Sequence, residues 1–110
     1  MTFQHRDAAA GRWVEFSLVE QMANIGSEVF RALNWRRKGN AEYGQGAFER
    51  SLELFDLTMA DPKNRFRLRE VTRARELWAD YFYGDNTYHA TDALWEKYFY
   101  AFNYAARVGR

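Results

Sequence analysis

Apolar residues recur along this chain in steps of three and four, the spacing of one face of an α-helix. No stretch shows sustained alternation of apolar and polar residues, so no strand is expected. Set on a wheel of about 100° per residue, Leu18, Val19, Met22, Ala23, Ile25, Gly26, Val29, Phe30, Ala32 and Leu33 fill one half of a helix over 17–38. Glu20, Gln21, Asn24, Ser27, Glu28, Arg31 and Asn34 fill the other half. An apolar face that wide predicts contact with at least two neighbouring helices.

The punctuation supports four helices. Ser17 and Glu20 form a capping box for the first helix, with an entry one turn earlier, near Arg12, as the alternative start. Gly39 ends it after Arg36, Arg37 and Lys38, cations that suit the negative end of a helix dipole. Asn40 caps a second helix over 40–59. Asp61-Pro62 opens a third over 61–83, closed by Gly84. A fourth spans 90–107 after a turn-rich loop. The second helix turns Phe48, Leu52, Leu54, Phe55 and Met59 inward beside small Gly44, Ala47, Ser51 and Thr58. The third presents Leu68, Val71, Ala74, Trp78, Tyr81 and Phe82. The fourth presents Leu94, Trp95, Tyr98, Phe99, Phe102, Ala105 and Ala106. The expected fold is all-α, an up-down-up-down antiparallel four-helix bundle, since the short first connections favour antiparallel neighbours. Two long hairpins that complete a core only as a dimer are the rival arrangement.

Composition narrows this picture. At 110 residues the chain is expected to form one helical domain over 1–110, with a loosely ordered segment over 1–12. It has a single proline, which suits long helices, and no cysteine, which excludes disulfides and thiolate chemistry. Sixteen Lys and Arg against fifteen Asp and Glu leave a net charge of +1, so any attraction to a polyanion must come from a local patch. No apolar run reaches the roughly 20 residues of a membrane span, and no apolar leader opens the chain. A cytoplasmic protein without membrane contact is expected. Aromatic residues make up 18% of the chain, which implies a core of large side chains or aromatic surface left over for a partner.

Five features exceed the needs of a scaffold. Arg75 falls inside the apolar arc of the third helix; a buried guanidinium requires a partner, either internal or a bound anion held with help from Tyr98 and from Ser51 or Thr58. Trp35, Arg36 and Arg37 join an aromatic ring to cations, the chemistry of base stacking and phosphate contact, and Trp35 sits on the polar face. Glu42, Glu49, Glu53 and Asp56 make an acidic stripe on the second helix; the Glu53/Asp56 pair has the spacing of a Mg²⁺ site, but the stripe points away from the core and the second pair of such a site is missing. Asp85 and His89 in the loop are a candidate acid–base pair, although only one of the two His lies in the predicted fold and there is no Cys, which argues against a metal. Tyr83, Tyr100 and Tyr104 lie on outer faces and suggest an interface.

No motif fixes a reaction, a cofactor or a metal. In size and expected architecture the chain resembles the small helical ribonucleases of the HEPN type. Their catalytic Arg followed four to six residues later by His is absent: the residues at those distances before His89 are Tyr83, Gly84 and Asp85. The leading expectation is a non-catalytic bundle acting through self-association, with a dimer favoured, or through a protein partner. The alternatives are a nucleotide- or RNA-binding protein and a small enzyme using a Mg²⁺–carboxylate or Asp85/His89 site.

Overall fold

The computed structural model describes residues 11–109, and among them there is no strand. Four α-helices follow one another: α1 (Leu18–Arg37), α2 (Ala41–Ala60), α3 (Leu68–Phe82) and α4 (Asp92–Val108). No helix among the described residues is long and apolar enough to cross a membrane. The segment expected to be loose, 1–12, lies outside the described residues apart from Gly11 and Arg12, which are helical together with Trp13.

The helix ends follow the expected chemistry. Ser17 Oγ accepts from the Glu20 amide at 3.2 Å, and the Glu20 carboxylate accepts from the Ser17 amide at 2.9 Å. Asn40 Oδ1 caps α2 through the Tyr43 amide at 3.0 Å. Gly39 takes a φ of +80°, where a side chain would be strained, and so ends α1. The fourth helix starts later than expected because Thr91 caps it, accepting from the Leu94 amide at 3.1 Å.

The third helix departs from its expected form. Residues Pro62–Arg67 wind as a 3-10 helix before α3 begins. Such tight winding rarely runs this long, and here a buried side chain holds it. Asn64, 2% exposed, donates to Thr58 O at 2.9 Å and to Gln21 Oε1 at 2.8 Å. Around it, Phe66 and Leu68 are exposed, so the inward position expected for Leu68 is not taken.

α1 is the central helix. It packs against both α2 and α4, and α3 packs against α2 while sending Val71 and Trp78 into the shared core. Small residues let the helices of this arc approach closely. A Cβ on Gly26 would stand 2.9 Å from Phe99 Cβ of α4, and one on Gly44 would stand 3.5 Å from the Ala32 carbonyl. The core between them is Met22, Ile25, Val29, Leu33, Phe55, Val71, Trp78 and Phe99. Trp78 lies at its centre and meets Trp95 edge-on, with ring centroids 5.6 Å apart. Apart from this contact and a hydrogen bond between Tyr81 and Asp92, α3 and α4 stand apart, and a cleft lies between them.

Candidate functional site

The open side is a groove. Its α3 wall carries Glu70, Arg73, Ala74, Leu77 and Asp80, its α4 wall Leu94, Trp95 and Tyr98, and its end is closed by Asn86, Tyr88 and Ala90. The volume is about 320 Å³, in the lower range of small-ligand clefts. Apolar atoms dominate the lining, with a few charged groups at the rim.

The loop that closes the groove is well braced. Asp80 Oδ2 accepts from the Thr87 amide at 2.7 Å, and the Asn86 amide donates to Asp80 O at 3.1 Å. The Asn86 side chain bonds both the amide and the carbonyl of Ala90, at 2.8 and 3.1 Å. Asn86 and His89 take positive φ, of 51° and 56°, which these residue types tolerate better than most. Tyr88 is held over the groove by the Arg73 guanidinium, 5.1 Å from its ring centre.

Two groups in the groove are chemically unusual. Trp95 is 3% exposed, yet its indole Nε1 finds no acceptor among the described residues. Buried donors are paired in the great majority of cases, and an orphan costs about 1–3 kcal/mol. Tyr98 is edge-on to Trp95, Phe99 and Phe102. Burial, and after it the charge of Glu70, pushes its phenol up to about 12 against the opposing charge of Arg67.

The residues singled out in the sequence do not converge. Arg75 is one-third exposed rather than buried, and its Nε donates to Asp56 Oδ1 of α2 at 2.9 Å. The wheel placed it in the apolar arc, but its position borders α2, where the long side chain reaches the helix surface. Arg75 thus lies on the α2 side of α3, while Tyr98 lines the groove on the α4 side, so they share no pocket. Ser51 and Thr58 have a different task from the one expected. Each accepts an indole N–H at 2.9 Å, Ser51 from Trp78 and Thr58 from Trp13. In the acidic stripe, Asp56 is paired with Arg75, and Glu53 is 8% exposed rather than solvated. Among the described residues, no three Asp, Glu or His side chains converge as a cation site would need.

The basic end of α1 is also engaged. Arg36 donates to Asp92 Oδ1 at 3.2 Å and to Phe82 O at 3.3 Å, and its guanidinium lies 4.5 Å from the Phe82 ring centre. Arg37 reaches Glu96 Oε2 at 3.2 Å and Asn34 Oδ1 at 2.6 Å. Tyr81 donates to the same Asp92 carboxylate; burial first, and then that carboxylate, raise its pKa above the ordinary value. These contacts tie the last turns of α1 and α3 to the first turn of α4. Trp35 is half-buried and meets Tyr43 edge-on at 4.9 Å, covering the turn between α1 and α2. Asp85 and His89 are exposed, and no hydrogen bond joins them. Tyr83, Tyr100 and Tyr104 are exposed as expected.

Sequence reasoning missed a buried polar cluster at the opposite end. Gln21, placed on the polar face, is fully buried: its Nε2 donates to Trp13 O at 2.8 Å and to Asp61 Oδ2 at 2.9 Å. Lys63 Nζ bonds Val14 O at 3.1 Å and also the Asp61 carboxylate. Burial opposes the charge of Asp61, but the hydrogen bonds from Lys63 and Gln21 and the Lys63 charge outweigh it and lower its pKa. Each member of this cluster finds a partner, and it anchors the residues around Trp13 to α1 and α2. It has the character of a structural clamp.

Comparison of the chain with protein-family models, with curated proteins and with solved structures returns no match.

Proposed function

We propose that this chain is a non-catalytic helical-bundle protein that works by binding protein, a second copy or another chain, along the open side between α3 and α4. On this reading it is one domain, an up-and-down antiparallel bundle whose fourth seam is left for a partner. The observation that carries it is the groove itself. An apolar cleft bordered by half-exposed Leu94 and Tyr88 is surface that a closed bundle would have buried. The other readings have less to stand on. Nucleic-acid binding through Arg36 and Arg37 would first have to release them from Asp92 and Glu96. An acid–base site would have to bring Asp85 and His89 together.

Sedimentation analysis from low micromolar to millimolar concentration, together with affinity capture, tests the proposal. Concentration-dependent mass, or a captured protein displaced by Leu94→Glu, is the expected result. A monomer at every concentration that captures nothing sensitive to Leu94→Glu would end it.

A further inference from the structure

Positive charge is concentrated where the 3-10 segment runs into α3. Residues 62–75 hold six Lys and Arg against Glu70 alone, whereas the rest of the chain holds ten against fourteen Asp and Glu. Four of the six have acidic partners: Lys63 with Asp61, Arg67 with Glu70 at 2.8 Å, Arg75 with Asp56 at 2.9 Å, and Arg73 more loosely with Glu76 at 4.0 Å. Arg65 and Arg69 are exposed, and neither meets a carboxylate among the described residues. Arg65, Arg69, Thr72 and Arg73 line one shallow depression, with Glu76 at its far end. Helix stability does not call for these cations. Arg65 and Arg69 stand at the amino end of α3, where positive charge opposes the helix dipole. Arg36 and Arg37, by contrast, sit at the carboxyl end of α1, which favours them.

Phe66 stands beside these arginines and is 84% exposed. The Arg65 guanidinium lies 4.7 Å from its ring centre. Buried Asn64 holds the 3-10 segment, so the ring is displayed from a braced backbone. We infer that this face binds single-stranded nucleic acid, with Arg65, Arg69 and Arg73 on phosphates and Phe66 stacked on an unpaired base. Residues four apart on a helix rise about 6 Å, so Arg69 and Arg73 meet phosphates of neighbouring nucleotides in an extended strand. Charge alone would suit any polyanion. An exposed ring next to arginine selects a partner with accessible flat π-faces, which a duplex hides. A membrane surface fits less well, because the apolar face of α3, with Val71, Ala74 and Trp78, is used up in the core and leaves only Phe66 and Leu68 to insert. An acidic peptide would engage the arginines and leave the ring without a task. The face is separate from the groove between α3 and α4, with which it shares Arg73.

Fluorescence anisotropy tests this with a labelled mixed-sequence RNA of about a dozen nucleotides, the DNA strand of the same sequence, and the matching duplex, between about 50 and 200 mM salt. Binding of either strand supports the inference, and the tighter of the two identifies the sugar. Three phosphate contacts give a salt slope of about −2. Arg65→Glu combined with Arg69→Glu is expected to weaken binding at least ~10-fold. The same variant should keep its circular-dichroism melt at or above that of the parent, since acid suits this end of α3. Phe66→Ala is expected to weaken binding about 5-fold or more with the salt slope unchanged, because it removes stacking and no charge. Leu94→Glu should leave strand binding intact, so failure of this face and failure of the groove are read separately. Binding that depends on the arginines but not on Phe66 would make the face a general polyanion surface and overturn the inference. A duplex bound as tightly as the strand, binding that both variants leave unchanged, or no binding at the lowest salt would each overturn it. So would capture by phosphatidylserine vesicles of a protein that ignores the strands, which would assign the face to a membrane.

Discussion

The two sides of α1 solve the same packing problem differently. Toward α2, small residues bring the helices together, and the buried polar groups of that half pair with one another: Trp13 with Thr58, Trp78 with Ser51, Gln21 with Asn64 and Asp61. Toward α4, packing is also close, with Gly26 set against Phe99, but Trp95 keeps an indole N–H with no acceptor among the described residues. All three tryptophans are buried to a similar degree. What separates them is whether α2 lies within reach to offer a hydroxyl. A helix that contributes Ser and Thr to its inner face closes the core around polar rings, whereas α4 contributes only rings.

The largest expected effect breaks the closed side. Gln21→Leu strips partners from Asn64, Asp61 and the Trp13 carbonyl at once, and should cost about 3 kcal/mol in urea unfolding. A loss under about 1 kcal/mol would mean that water replaces those bonds readily. The same cluster is expected to be sensitive to acid. The folded pKa of Asp61 lies below its ordinary 3.8, so the cluster's contribution is full above that value and is lost as pH falls through the folded pKa. Stability of the parent and of Asp61→Asn should therefore converge as pH drops below that range, and a constant difference between them would contradict the assignment.

Next in size, Gly26→Ala tests how tight the α1–α4 contact is. Alanine gains about 1 kcal/mol of helix propensity over glycine. The new Cβ nevertheless stands 2.9 Å from Phe99 Cβ, an atom too near its backbone to swing aside. A net loss of about 1–2 kcal/mol is expected; a gain in Tm would show that α4 slides freely on α1. The smallest effect isolates the contrast itself. Trp78→Phe and Trp95→Phe remove similar volumes, but only the first discards a hydrogen bond, and it also takes the donor from Ser51. Trp78→Phe should be the more damaging by about 1 kcal/mol. Equal losses in matched denaturation curves would indicate that Trp95 is paired in solution.

Much of the secondary structure was legible because it rests on local rules. Ser17 with Glu20, Asn40 and Gly39 act within one turn, and their roles follow from residue type and spacing. The 3-10 segment was not legible, because the cause lies at Gln21 and Thr58, outside the segment that Asn64 holds. Periodicity also misplaced Gln21 and Arg75. A wheel records direction around one helix, whereas burial depends on what stands opposite, here the Trp13 segment in the first case and the edge of α2 in the second. For the candidate site, Tyr98 stood out in the sequence, but Leu94 reads as core because nothing in a single helix shows that its neighbour is missing.

Helicity, most helix termini and the buried half of α1 are written in the residues alone, since they depend on dihedral preference, capping and the 3.6-residue period. Packing in three dimensions settled the rest: Arg36 and Arg37 are engaged at Asp92 and Glu96, the small hydroxyls of α2 serve tryptophans, and α3 and α4 stand apart around a groove. Those outcomes depend on distances between segments remote in sequence, which no local pattern encodes.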